Sequence, residues 1–202
     1  MIRLRIKISA IKPAIIKQIT GSLKKGQIVV LPTDTIYGLS CLADKIGAIK
    51  RIYKLKGREA KKPLIVLVSS LAMAKKYALV SPWQEKFLKT IWLTGTRPTT
   101  VILKQRNLLP RELTGNSSGL ALRLPKDKFL IKILKAVKKP LVSTSLNLSG
   151  QRNLISLKRL DDYFSLNQEH PDLIIDGGAG RRRRPSRLID LREEGHPIVL
   201  RK

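Results

Sequence analysis

The feature that most restricts the fold is a unit that occurs twice in the first seventy residues: an apolar stripe at helical spacing, a glycine stop, then a short apolar run. Ile11, Ile15, Ile19 and Leu23 recur every fourth residue up to Gly26, and "QIVVL" follows. Ile46, Ile49, Ile52 and Leu55 renew the pattern up to Gly57, and "PLIVLV" follows, with Asp44 placed to cap this second helix. Each stripe predicts a helix and each run a buried strand. Downstream, "TTVILK", "GLALRLP", "KPLVSTS", "DLIID" and "SRLIDL" read as further strands, among helical patterns at 70–78, 82–91, 126–138 and 156–164. This alternation predicts an α/β fold, a sheet covered by helices.

With 202 residues and 43% hydrophobic content the chain can build one core, and the periodicity runs nearly to the C-terminus, so residues 1–202 are read as a single domain. No stretch of about twenty apolar residues occurs, and "MIRLRIKISAIKPAII" mixes charges into its apolar residues. The expectation is a protein that neither spans a membrane nor is exported. Its one cysteine, Cys41, excludes an internal disulfide and a multi-cysteine zinc site, in keeping with a cytoplasmic location, and reads as a small buried side chain.

Charge is the largest compositional anomaly: 41 Lys+Arg against 14 Asp+Glu, a net charge of +27. Such a field draws in nucleic acids or nucleotides, although a general bias towards Lys and Arg gives the same count. At 4% aromatic content few side chains can stack on bases. That argues against sequence-reading of single strands and leaves backbone contact with structured RNA open.

Three polar constellations interrupt the apolar pattern. "PTDTIYGL" at 32–39 sets Thr33, Asp34, Thr35 and Tyr37 where a strand leaves the core, either to cap a turn or to line a pocket. In "KLKGREAKKPLIV", Lys56 and Arg58 stand one residue apart at a helix end, with Lys61 and Lys62 beyond. They suit either the negative end of the helix dipole or a clamp on a triphosphate. In "PLVSTSLNLSG", an extended run over 141–149 puts Ser143, Ser145, Asn147 and Ser149 on one face. That row is either a half-solvated edge or a set of groups for phosphate oxygens or a ribose. Finally, "RRRR" at 181–184 reads as a solvated loop, a contact for tRNA or a partner, or a lid over a pocket.

Together, "PTDTIYGL", "KGR", "STSLNLSG" and the closing "RRPSRLIDL…IVLR" resemble, in order and approximate spacing over about residues 10–201, the YrdC/TsaC family of threonylcarbamoyl-AMP synthases. The resemblance implies a twisted, mixed open sheet flanked by helices, with a basic concave face, in the family's short single-domain form. It implies a nucleotidyltransferase that converts L-threonine, bicarbonate and ATP to threonylcarbamoyl-AMP and pyrophosphate, for tRNA threonylcarbamoyladenosine modification. The implied partners are tRNA or double-stranded RNA and downstream threonylcarbamoyl-transferase proteins. With few carboxylates near the motifs, Mg2+ is expected to arrive with ATP and not in a protein cage.

By the same resemblance Thr33, Thr35, Arg123, Ser143 and Ser186 bind threonine, Thr33 and Asp34 shape the turn, and Tyr37 with the apolar residues after it covers the substrate. Lys56, Arg58, Lys62, Ser145, Asn147, Asn153 and Arg201 bind ATP, with Lys56 and Arg58 as the catalytic pair that offsets charge on the leaving pyrophosphate. The family's tryptophan-proline-glycine-proline segment is "WLTGTRPTT" here, which leaves Thr100 and Lys104 without an assigned role. Leu67 stands where longer relatives place a histidine. Such chemistry needs positioning and charge compensation more than covalent catalysis. The sequence agrees, since His170 and His196 both precede proline and no Ser-His-Asp order or paired carboxylates occur. Two other readings stay open: a double-stranded RNA or rRNA-binding module in which the motifs serve shape alone, and a YciO-like relative with weak or different activity.

Overall fold

A computed structural model of the chain describes residues 1–151, 157, 160, 169–178 and 185–202. Among these residues the order is β1 (Ile2–Arg5), α1 (Pro13–Lys24), β2 (Val29–Leu31), β3 (Gly38–Leu42), α2 (Ile46–Lys56), β4 (Ile65–Leu67), α3 (Leu71–Tyr77) and α4 (Pro82–Leu88). Then come β5 (Thr99–Lys104), β6 (Gly119–Arg123), α5 (Lys128–Val137), β7 (Leu141–Ser145), β8 (Leu173–Asp176), β9 (Arg187–Asp190) and β10 (Ile198–Arg201). The strands form one sheet, as the alternation predicts, and it is mixed, as the resemblance implies, in the order β1-β8-β2-β3-β7-β4-β6-β5-β9-β10.

Side chains of a strand alternate between faces, and β2 shows both destinations. Val29 and Leu31 join the cluster of Ile19 and Leu23 from α1 and Phe129, Leu130, Ile133 and Leu134 from α5. Val30 joins the opposite cluster, which holds Ile49, Ile52 and Leu55 from α2 and Ala74 from α3. The sheet is therefore covered on both sides, which is why "QIVVL" is apolar throughout. Helix starts are fixed locally. Ser70 and Asp127 accept from the Met73 and Leu130 amides, and Ser81 with Gln84 forms a capping box.

Several expectations change. Asp44 does not cap α2: the residue before that helix is Lys45, which makes no side-chain cap, and the Asp44 carboxylate pairs with Lys139. The residues after Tyr37 form strand β3, hydrogen-bonded between β2 and β7. β1 and β10 are further strands with largely exposed residues, which the search for buried runs passed over. The helix read over 82–91 changes to a π-helical segment over Lys89–Thr94, where the Trp92 indole donates to Thr99 O at 3.0 Å. The helix read over 156–164, Asn153 and the arginine run 181–184 lie outside the described residues. No helix among the described residues is long and apolar enough to cross a membrane.

Candidate active site

Strand ends and connections from distant parts of the chain meet around a cleft of about 180 Å³. Its wall is drawn from the β2–β3 connection, Arg58, the entry to β4, Arg123 at the end of β6, Ser143 to Ser145 of β7, Ser186 and Arg201.

The "PTDT" turn is organised by Thr33. Its hydroxyl donates to Ile36 O at 2.6 Å and accepts from the Thr35 amide at 3.0 Å. Having spent its one hydrogen there, Thr33 Oγ1 must accept in its 2.9 Å contact with Thr35 Oγ1. Thr35 in turn accepts from Arg123 Nη1 at 3.3 Å, so a single lone pair of its hydroxyl is left for the cleft. Asp34 turns inward, where its carboxylate takes Arg123 Nη2 at 2.9 Å and the Lys126 amide at 3.2 Å. Both partners of this ion pair are almost fully buried, at 5% and 7% side-chain exposure. Burial pulls Arg123 below its ordinary value; Asp34 opposes this and Arg201 adds to it. Arg123 Nε, also buried, has no hydrogen-bond partner among the described residues, which leaves one donor of a cleft-lining guanidinium uncommitted.

The opposite wall comes from the pairing of β3 with β7, in which Gly38 faces Ser145 and Ser40 faces Ser143. A Cβ on Gly38 would stand 2.8 Å from Ser143 Oγ, so only glycine leaves the Ser143 hydroxyl its place in the wall. Tyr37, buried, fastens the same region: its hydroxyl donates to Gly178 O at 2.7 Å and accepts from the Gly177 amide at 3.0 Å.

The two cations of K-x-R part company. Gly57 ends α2 in the left-handed region at φ 55°, and the chain reverses direction there. Arg58 follows the turn outward, bonds Lys62 O at 3.3 Å and Pro63 O at 3.0 Å, and lines the cleft. Lys56 points the other way into the protein and is 1% exposed. Burial, with the neighbouring charge of Arg58, pushes its ammonium down to about 7. Lys62 pairs with Glu59 at 2.8 Å on the exposed loop and is not part of the cleft wall.

The extended row read over 141–149 stops at Ser145. Beyond it the Leu146 amide bonds Tyr37 O at 2.9 Å and the Asn147 amide bonds Ser145 O at 3.0 Å, which turns the chain. Ser143 and Ser145 therefore line the cleft, whereas Asn147 is buried behind it. At the far side Ser186 is held by Thr100 Oγ1 at 2.8 Å and by Arg201, whose Nε donates to Ser186 O at 2.9 Å. Thr100, left without a role by the sequence, is thus a support for Ser186.

Of the residues singled out in sequence, Thr33, Thr35, Tyr37, Arg58, Leu67, Arg123, Ser143, Ser145, Ser186 and Arg201 meet at the cleft, whereas Asp34, Lys56, Lys62 and Asn147 do not line it. Sequence reasoning missed Gly38 and the apolar wall of Pro63, Leu64 and Ile65. Gly38 had a signal, as a glycine inside an apolar run at the point where a second backbone approaches.

The profile of the Sua5/YciO/YrdC family, described as "Telomere recombination", matches residues 21–202. A threonylcarbamoyl-AMP synthase of Pyrococcus abyssi is 33% identical over 181 residues, or 90% of this chain and 52% of that relative. The chain thus spans about half the length of that curated relative. The structure of P. abyssi Sua5 complexed with L-threonine superposes with a TM-score of 0.84 at 30% identity, covering 99% of this chain and 56% of that one. Escherichia coli YciO superposes with a TM-score of 0.83 at 25% identity, covering 100% and 94%. In sequence over nine-tenths of its length and in fold over nearly all of it, the chain belongs to the Sua5/YciO/YrdC family.

Proposed function

We propose that this chain is an L-threonylcarbamoyladenylate synthase, a nucleotidyltransferase that uses L-threonine, bicarbonate and ATP in tRNA threonylcarbamoyladenosine modification. One observation carries the reading: a single cleft is lined by Arg123 and the Thr35 hydroxyl it holds, with one lone pair to spare, and also by Arg58 and Arg201. The first pair suits the carboxylate and the amine or hydroxyl of an amino acid, and the second suits phosphate oxygens. The P. abyssi relatives, a threonylcarbamoyl-AMP synthase by name and a Sua5 structure with L-threonine, support the same choice.

In this reading Arg123, Thr35, Ser143 and Ser186 orient threonine, and Thr33 holds the turn. The threonine nitrogen attacks the bicarbonate carbon, water is lost, and a carbamate forms. A carbamate oxygen then attacks the α-phosphorus of ATP and pyrophosphate leaves. Arg58, with Arg201 across the cleft, balances the charge that grows on the leaving group, a role that needs position and not proton transfer. Gly38 and residues 143–145 lie on a sheet whose register fixes them, and residues 33–37 form a turn held by the Thr33 hydroxyl, so little is left to order when substrates bind. Magnesium enters with ATP: among the described residues no Asp or Glu lines the cleft, so the ion's charge is met by the phosphates. Lys62 and Asn153 belong to the ATP side of this proposal on resemblance alone. Partners on the product side are the threonylcarbamoyl-transferase proteins and, in a basic protein of net charge +27, tRNA itself.

Release of pyrophosphate from ATP, measured with each substrate omitted in turn, tests the proposal. Release is expected only when threonine and bicarbonate are both present. Threonine-independent hydrolysis points instead to a YciO-like activity, and no hydrolysis with tight RNA binding points to a binding module.

A further inference from the structure

The Lys56 side chain leaves the last turn of α2, and its ammonium is surrounded by oxygens. It donates to Ser145 O at 2.6 Å, Asn147 O at 2.7 Å and Asn147 Oδ1 at 2.9 Å. An ammonium has only donors, so the Asn147 side-chain atom that faces it is the amide oxygen. The other end of the amide agrees, since Asn147 Nδ2 donates to Gln151 O at 2.8 Å. Asn147 Oδ1 also accepts the hydroxyl hydrogen of Ser145. A serine hydroxyl has a single hydrogen. Ser145 Oγ therefore turns only lone pairs towards the cleft that it lines.

We propose that Lys56 is a positioning residue that sets the polarity of Ser145, and that the place beside Ser145 Oγ takes a hydrogen-bond donor of the ligand, not a phosphate oxygen. The inference rests on reading the cleft as a site for ATP and threonine. The shared chemistry is an O–H or N–H group, supplied either by a ribose hydroxyl of ATP or by the hydroxyl or amine of threonine. A phosphate oxygen facing those lone pairs is repelled, and phosphates are left to Arg58 and Arg201.

Calorimetric titration of the full chain without turnover separates the possibilities. The ligands are L-threonine, ATP, 2′-deoxy-ATP and 3′-deoxy-ATP, each against wild type, Ser145→Ala, Lys56→Met and the double variant. If the donor is a ribose hydroxyl, Ser145→Ala weakens ATP roughly 5- to 10-fold and leaves one of the deoxy analogues unaffected. If the donor belongs to threonine, the same loss falls on threonine and ATP is unchanged. In either case Lys56→Met reproduces the loss and adds nothing in the Ser145→Ala background. Lys56→Gln, whose amide still donates towards the Asn147 oxygens, keeps most of the Ser145 contribution and serves where Lys56→Met does not fold. Equal weakening of ATP and both deoxy analogues by Ser145→Ala, no loss for either ligand, or additive Lys56 and Ser145 effects each overturn the inference. A wild-type chain that binds neither ATP nor threonine removes the functional reading beneath it, an outcome distinct from those three.

Discussion

Asp34→Ala tests how the candidate site is held together. Asp34 supplies the one carboxylate that Arg123 touches in the described structure, at 2.9 Å, and both side chains are at or below 7% exposure. Removing one member of such a pair leaves the other charge buried and uncompensated, which costs about 3–5 kcal/mol. Among the described residues Arg123 Nε already has no partner, so after the change only the 3.3 Å contact to Thr35 would remain there for this guanidinium. For a chain of this size each kcal/mol moves the melting temperature by about 2–4 °C, so Asp34→Ala is expected to lower it by about 6–20 °C. Thermal and urea unfolding followed by circular dichroism measure this, with an unchanged urea slope as the check on two-state behaviour. Asp44→Ala is the matched control. It removes a pair with Lys139 whose members are 39% and 51% exposed, and is expected to cost less than about 1 kcal/mol. The double change Asp34→Ala with Arg123→Leu should recover part of the loss, because no buried charge is left unpaired. An Asp34→Ala loss no larger than that of Asp44→Ala would refute this account of the site.

Three further outcomes are expected. Gly38→Ala, which sets a methyl group 2.8 Å from Ser143 Oγ, should raise KM for threonine roughly tenfold while the circular dichroism spectrum stays unchanged; an unaltered KM shows that the wall yields there. Arg58→Ala should reduce turnover by roughly 10²- to 10³-fold with a melting temperature near wild type, since this half-buried side chain bonds, among the described residues, only the Lys62 and Pro63 carbonyls; a large loss of stability makes it structural. The third concerns pH. Burial brings Lys56 from 10.5 down to about 7, so between those values the unfolded chain binds more protons and this group's contribution makes stability rise with pH, with its full penalty below about 7. Lys56→Met should flatten that rise in urea unfolding at several pH values, and an unchanged slope removes Lys56 from the account.

Much of the fold was legible because buried strands and amphipathic helices write their periods directly into the sequence. The run "QIVVL" and the stripe from Ile11 to Leu23 became β2 and α1. What escaped was what solvent exposure or competition between partners decides. β1 and β10 are short strands whose residues are largely exposed, so no buried run announces them. Asp44 stood one residue too early to cap α2 and found Lys139 across the fold instead. At the site, residue types were readable but directions were not. Lys56 and Arg58 are one residue apart in sequence, yet the left-handed turn at Gly57 sends one inward and the other to the cleft. The Asp34–Arg123 pair joins residues 89 positions apart, a contact that no local spacing encodes.

The central claim, that threonine and bicarbonate are joined to the α-phosphate of ATP in this cleft, is tested most directly by following the label. Chain, ATP, magnesium and L-threonine are incubated with 13C-bicarbonate, and the products are separated and weighed by mass spectrometry. The account expects threonylcarbamoyl-AMP carrying the heavy carbon, formed in step with pyrophosphate and lost in the Arg123→Leu variant. Pyrophosphate release without that labelled adduct, or an adduct without the heavy carbon, contradicts it.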